Sequence, residues 1–212
     1  MTHCLLGPEF SEVEISRALK LKQILNFKKL TDDELTKKTA QLINQDKIVG
    51  WFQGRMEFGP RALGSRSILA NPKSEKIKDL INLKIKKRET FRPFGPMVIE
   101  EDCEKYFNLK IKSPFMLLAP QVHSHQKAVL PAITHIDGTA RVQTVAKNEN
   151  ELLYKLLSEF KKISGVPVLL NTSFNQNNEP VVCTPEQALN SYLETELDAL
   201  AIGPFLLEKL KT

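Results

Sequence analysis

Residues 51–70 read WFQGRMEFGPRALGSRSILA, and this stretch decides how the rest of the chain is interpreted. Three arginines (Arg55, Arg61 and Arg66) are interleaved with three glycines (Gly54, Gly59 and Gly64) and one proline, Pro60. An apolar run at 48–52 leads in, and Ser67-Ile68-Leu69-Ala70 leads out. Apolar runs this short, bounded by glycine, read as buried strands. The 14 residues between them carry too much arginine to serve packing alone. Glycine lets backbone amides come close to a ligand, and guanidinium forks match the oxygens of phosphate or carboxylate. The stretch therefore reads as a polyanion site between two strands. Gly59-Pro60-Arg61 is expected to open a helix whose exposed amides add to that site. The plainer alternative is a surface Arg61 paired with Glu57, worth about 0–1 kcal/mol.

Working outward, Ser11 with Glu14 and Thr31 with Glu34 read as capping boxes of two scaffold helices. Ser74 is expected to cap a third helix carrying Ile77, Leu80, Ile81 and Ile85. Strands are expected at 96–99 and 114–118, with a short helix at 102–106 between them. Residues 121–131 lose periodicity and read as a surface loop. His123 and His125 lie within it without a third partner, so a solvated loop is preferred to a metal site. Residues 139–145 alternate like a strand, and 149–164 form an amphipathic helix stopped by Gly165. A buried strand at 166–170 ends in Asn171, Thr172, Ser173, Phe174 and Asn175. Thr184-Pro185 with Gln187 opens a last helix, and 197–207 returns as a strand broken at Gly203-Pro204. Helices interleaved with strands, without repeat or long linker, give an α/β fold with a largely buried sheet. The charged and polar motifs fall at element ends, where open α/β sheets place ligands.

The chain has 212 residues, 42% hydrophobic and 26% charged, an ordinary globular composition that buries roughly 70% of the unfolded surface. No run of about 18 apolar residues suggests a membrane span and no leader precedes residue 10, so a cytoplasmic protein is expected. Cys4, Cys103 and Cys183 are odd in number and far apart, which indicates neither a disulfide framework nor a zinc site. The net charge of +5 would permit nucleic-acid binding. Yet six of the seven arginines, all but Arg17, sit in three short motifs. A backbone binder spreads cations along a face, whereas clustered arginine suits one small, highly charged ligand.

The second motif holds Lys86, Arg88 and Arg92, which cannot all point one way on regular backbone. Arg92, between Phe91 and Pro93, suits positioning, and Arg88 beside Glu89 could simply be paired. In the third motif Thr139, Arg141 and Gln143 share one strand face, and His135 is read equally well as structural or substrate-facing. In the fourth, Ser173 lacks the G-x-S-x-G context of a nucleophile. With Asn171, Thr172 and Asn175 it reads as a set of neutral partners for phosphate or nucleotide.

In this order, GWFQGRMEFGPRALGSRSILA, N-x-K-I-K-x-R-E-x-F-R-P-F, THIDGTARVQTV, PVLLNTSFN and EPVVCTP resemble the C-terminal domain of the NodU/CmcH family of O-carbamoyltransferases. The resemblance runs from about residue 6 to the C-terminus. It implies one YrdC-like α/β domain over 1–212, with a twisted, largely buried mixed sheet flanked by helices. It further implies binding of ATP and carbamoyl phosphate and formation of carbamoyl adenylate. A separate N-terminal transferase domain or partner protein then passes the carbamoyl group to a hydroxyl acceptor. By motif, Lys86, Arg92 and Arg141 correspond to the carbamoyl-phosphate cluster, and Arg61 fits the same pocket. Arg55, Arg88, His135, Asn171, Thr172, Ser173 and Asn175 are the further binding candidates. Mg²⁺ is the expected companion of ATP, with Glu57, Glu89 and Asp137 as the only candidate ligands. The histidine-bound metal of the N-terminal domain is not transferred to His3 or His135, and that domain is expected to be missing from this chain. The competing readings are a nucleic-acid-binding YrdC-like domain and a non-catalytic ligand-binding module.

Overall fold

A computed structural model describes residues 3–209. Eight strands form one mixed sheet in the order β1-β8-β7-β2-β3-β6-β4-β5. The strands are β1 (Lys28–Lys29), β2 (Val49–Phe52), β3 (Arg66–Ala70), β4 (Gly95–Ile99), β5 (Gln143–Val145), β6 (Val168–Ser173), β7 (Ala199–Ile202) and β8 (Phe205–Glu208). β2 runs parallel to β7 and β4 parallel to β5, and the remaining pairs are antiparallel.

Helices cover both faces, because the inner strands are apolar on both sides. Ile48 and Phe52 join the core beneath α1 (Glu12–Leu21), α3 (Glu75–Leu80) and α6 (Pro185–Glu194). Val49 and Trp51, offset by one residue, join the core beneath α2 (Asp32–Asn44) and α5 (Glu151–Ser164). The same alternation splits β6, with Val168 and Leu170 on the first face and Leu169 on the second.

The expected capping boxes form. Ser11 accepts from the Glu14 amide at 3.3 Å while Glu14 accepts from the Ser11 amide at 2.7 Å. Thr31 with Glu34 and Thr184 with Gln187 do the same, and Gly165 closes α5 in the left-handed conformation with φ 78°.

Several expectations differ. Residues 59–61 open no helix; the segment is irregular. Residues 114–118 are not a strand but a turn with one bridge, Leu118 to Val142. Of residues 139–145 only Gln143–Val145 pair as a strand. Ser74 makes no side-chain cap, and the helix it precedes widens after Leu80 into a π-helical turn, Ile81–Ile85. The helix at 102–106 is α4 (Cys103–Tyr106), preceded by a 3-10 turn at Glu100–Asp102.

Register brings the motifs together. β6 is antiparallel to both β3 and β4, with Ser173 opposite Ser67 and Asn171 opposite Gly95. The carboxyl end of β6 therefore meets the amino ends of β3 and β4, and of β5 parallel to β4. The β2–β3 loop, the 88–94 segment and Arg141 all converge at this end of the sheet.

Candidate anion-binding site

At that end lies a cleft of about 150 Å³ lined by Arg61, Arg88 and Arg141 among others. Drug-sized ligands occupy roughly 300–1,000 Å³, so this space fits a small oxyanion. Among the described residues no carboxylate lines it. Ala62, Phe94, Gly95 and Met116 form its apolar floor, and Asn171, Thr172 and Ser173 supply its neutral polar edge. Gly95 is required there, because a Cβ would sit 2.8 Å from the Arg141 carbonyl oxygen and 2.9 Å from Met116 Sδ.

Each arginine arrives on a different segment. Arg61 is exposed on the β2–β3 loop and makes no hydrogen bond or ion pair among the described residues. Arg141 is half-buried with its Nε unpartnered. Burial, then the neighbouring charge of Arg61, lowers its pKa. Arg88 donates through Nε to Asn82 Oδ1 at 2.8 Å and lies 5.1 Å from the Phe94 ring centroid. Burial, then Arg92, lowers its pKa too. Asn171, 2% exposed, has its Oδ1 unpartnered while its Nδ2 donates to Ala62 O at 2.8 Å and Gln143 Oε1 at 3.2 Å. Half-buried guanidinium groups whose pKa is lowered by burial and a neighbouring cation, beside orphaned polar atoms, make a site that is electrostatically incomplete by itself.

Lys86 lies behind this wall. It leaves the π-helical turn into the protein, 4% exposed, and Lys87 takes φ 45° so that Arg88 faces the cleft. That left-handed residue resolves how neighbouring cations point in different directions. Lys86 Nζ has four oxygens within 2.5–3.3 Å, the carbonyl and side-chain oxygens of Ser173 and Asn175. No carboxylate is among these partners. Burial, then Arg88, pushes its pKa down to about 7. Ser173 also donates to Asn175 Oδ1 at 2.7 Å, so Lys86 and Asn175 together fix the end of β6.

The remaining candidates lie elsewhere. Arg92 is exposed and pairs with Glu89 at 3.0 Å, outside the cleft lining. His135 lines a neighbouring apolar groove with Phe91, Pro93 and Ile136, and its Nδ1 is 3.2 Å from Thr139 Oγ1. Burial lowers its pKa. Arg55 is exposed and does not line the cleft. Arg66 is a brace: fully buried, it donates to the carbonyls of Gln53, Gly54, Ser65 and Pro8 and stacks 3.6 Å from the Phe52 ring centroid.

The Mg²⁺ candidates are otherwise engaged. Glu57 Oε1 accepts three backbone amides, Glu89 holds Arg92, and Asp137 Oδ1 accepts from the Thr139 amide and hydroxyl. Among the described residues no group of three or more His, Cys, Asp and Glu gathers as a metal site. These residues do not fit a protein-bound Mg²⁺. Glu57 is also no partner of Arg61. Met116 belongs to no charged motif and was not legible as a site residue; Asn82 and Gln143 lie within the second and third motifs, but carry no charge to single them out. Asn82 holds the 88–92 loop through Thr90 O and Arg92 O, and Gln143 ties Leu63 O to Asn171.

Comparison with known proteins adds the family. Residues 40–209 match the family model described as "Carbamoyltransferase C-terminus". Nodulation protein NolNO of Sinorhizobium fredii is 46% identical over 180 residues, 84% of this chain and 26% of that protein. The 3'-hydroxymethylcephem-O-carbamoyltransferase of Amycolatopsis lactamdurans is 45% identical over 133 residues, 63% of this chain and 25% of that protein. The chain thus spans about a quarter of the length of these relatives. Full-length HypF, in a phosphate- and nucleotide-bound crystal structure, matches 86% of this chain and 22% of its own with TM-score 0.54. At 20% identity that likeness speaks for the YrdC-like fold alone. No helix among the described residues is long and apolar enough to cross a membrane. With four-fifths of the chain inside one family model and a sheet of the matching fold, the chain belongs to the carbamoyltransferase C-terminal domain family.

Proposed function

We propose that the cleft binds the phosphoryl group of carbamoyl phosphate, and that carbamoyl phosphate, water and ATP give carbamoyl adenylate, with phosphate released from the first substrate and pyrophosphate from the α-phosphorus of ATP. A partner transferase domain then delivers the group to a hydroxyl. The observation that carries this reading is the convergence of Arg61, Arg88 and Arg141 on one small cleft without a carboxylate. A unit charge pair at about 4 Å and an effective dielectric of about 20 is worth about 4 kcal/mol. Three guanidinium groups thus favour a dianion strongly and resist leaving the cleft empty. The ammonium of Lys86 keeps Ser173 in place at the cleft edge. Fixed cations that already face the transferred group stabilise its developing charge without reorganisation. The chain's own carboxylates leave any Mg²⁺ to be carried by the nucleotide.

The test is pyrophosphate release on mixing the protein with ATP and carbamoyl phosphate. Release should require both substrates and fall on the order of 10²-fold in Arg141→Ala, as for one lost electrostatic stabiliser. Full activity in Arg141→Ala refutes the role of the cleft. Carbamoyl phosphate binding without any release reduces the protein to a binding module.

A further inference from the structure

The loop that presents Arg61 is fastened by an internal anion. Glu57 is 6% exposed, and its Oε1 accepts the backbone amides of Leu63 at 2.7 Å, Ser65 at 2.6 Å and Arg66 at 3.3 Å. Convergent amides of this kind form a nest that in other proteins receives an anionic ligand. Here the protein fills the nest with its own carboxylate. The carbonyls of the same segment point the other way and are also taken. Ala62 O accepts from Asn171, Leu63 O from Gln143 at 2.8 Å, and Gly64 O from Trp51 Nε1 at 3.0 Å. Every one of these fasteners leaves the Arg61 side chain out. The loop is held, and its guanidinium is left unpaired.

Holding is needed because Arg61 faces like charges. Its field already depresses the pKa of Arg141, and Arg88 lines the same cleft. An unfastened loop would relieve this repulsion by swinging Arg61 into solvent, and ligand binding would then have to draw it back. Fixing the loop beforehand removes that ordering cost from binding. Charge-assisted hydrogen bonds from backbone amides to a carboxylate are the strong kind, and three on one oxygen suit the task.

We infer that Glu57 is a positioning residue, whose carboxylate holds the 60–66 loop so that Arg61 meets the phosphoryl oxygens of the substrate. The inference rests on the proposed carbamoyl-phosphate reading and assigns Glu57 a task unconnected with metal.

A double-mutant cycle on carbamoyl phosphate affinity, measured by calorimetry, tests it. Glu57→Gln keeps the shape and one acceptor but removes the charge. It should weaken binding by about tenfold, which is ~1.4 kcal/mol. Because Glu57 acts through Arg61, adding Glu57→Gln to Arg61→Ala should weaken binding no further. A structural role alone would give additive losses or a lowered Tm with unchanged affinity, and either result overturns the inference. Should Glu57→Gln fail to fold, Glu57→Asp, which keeps the charge one methylene short, is put through the same cycle with the same criteria. A wild-type chain that binds no carbamoyl phosphate instead removes the reading on which the inference stands, and the inference with it.

Discussion

Binding of carbamoyl phosphate should take up protons near neutral pH, and Lys86 is the reason. Burial and the charge of Arg88 lower its pKa from 10.5 to about 7, so near pH 7 it is about half protonated. Its Nζ lies 3.3 Å from Ser173 Oγ, and Ser173 lines the cleft. An anion seated there both attracts the ammonium and screens Arg88. At about 8 Å and an effective dielectric of about 20, each negative charge contributes about 2 kcal/mol. One pKa unit is 1.36 kcal/mol, so a dianion at that distance is worth up to about three units, and a rise of about one to two units needs only part of it. At pH 8 a one-unit rise corresponds to about 0.4 proton taken up per ligand, and a two-unit rise to about 0.8. At pH 6 the Lys86 contribution is nearly nil, because Lys86 is already charged. The phosphoryl group itself contributes little at pH 8, as second phosphate protons leave near pH 6. Calorimetric titration at pH 8 in two buffers of different ionisation heat reads the proton number directly. Affinity should also decline between pH 7 and 9, and Lys86→Met should abolish both effects. Intact binding with uptake below about 0.1 proton at pH 8 would refute the placement of Lys86 behind the cleft as a charged partner.

Other outcomes follow from the same geometry. The unfolded chain binds the Lys86 proton up to about pH 10.5 and the folded chain only to about pH 7. Stability should therefore rise with pH across that window, by about 2 kcal/mol between pH 7 and 9 in denaturant melts, and less in Lys86→Met. Arg66→Met should cost about 3 kcal/mol or more in unfolding free energy, since it strands the carbonyls of Gln53, Gly54, Ser65 and Pro8. An unaltered Tm would show that this brace carries no load. Gly64→Ala should cost about 2–3 kcal/mol, because Gly64 has φ 101° and a Cβ would fall 2.2 Å from Leu153 Cδ2. Arg92→Ala should lower carbamoyl phosphate affinity far less than Arg88→Ala, since Arg92 pairs with Glu89 outside the cleft; equal losses in titration would place Arg92 at the ligand.

The sequence carried the local signals well. Capping boxes and the left-handed Gly165 were legible because their chemistry is complete within four or five residues. The two strands around the arginine loop were legible because both faces of an inner strand are apolar. Signals that depend on distant partners were not. Residues 114–118 are apolar enough for a strand, yet pair only through the Leu118–Val142 bridge. Gly59-Pro60 has the letters of a helix start, but the amides that follow turn onto Glu57 instead. The same limit governs the site. Clustered arginine marked Arg61, Arg88 and Arg141 but equally Arg55, Arg66 and Arg92, and the polar carboxyl-terminal half of β6 marked Asn171 to Ser173. Which arginine faces the cleft was decided by features without a charge signature. A π-helical turn sends Lys86 inward, Lys87 turns the chain at positive φ, and Asn82 grips Arg88.

Titration of carbamoyl phosphate into the wild type and into Arg61→Ala, Arg88→Ala and Arg141→Ala decides whether three guanidinium groups form one anion site. Each variant should fold, Arg88→Ala with a lowered Tm because it strands the buried Asn82 Oδ1, and each should weaken binding by at least about tenfold, as expected when one of three nearby charges is lost. Affinity in the wild-type range for any two of the three folded variants would show that the guanidinium groups do not act as one site.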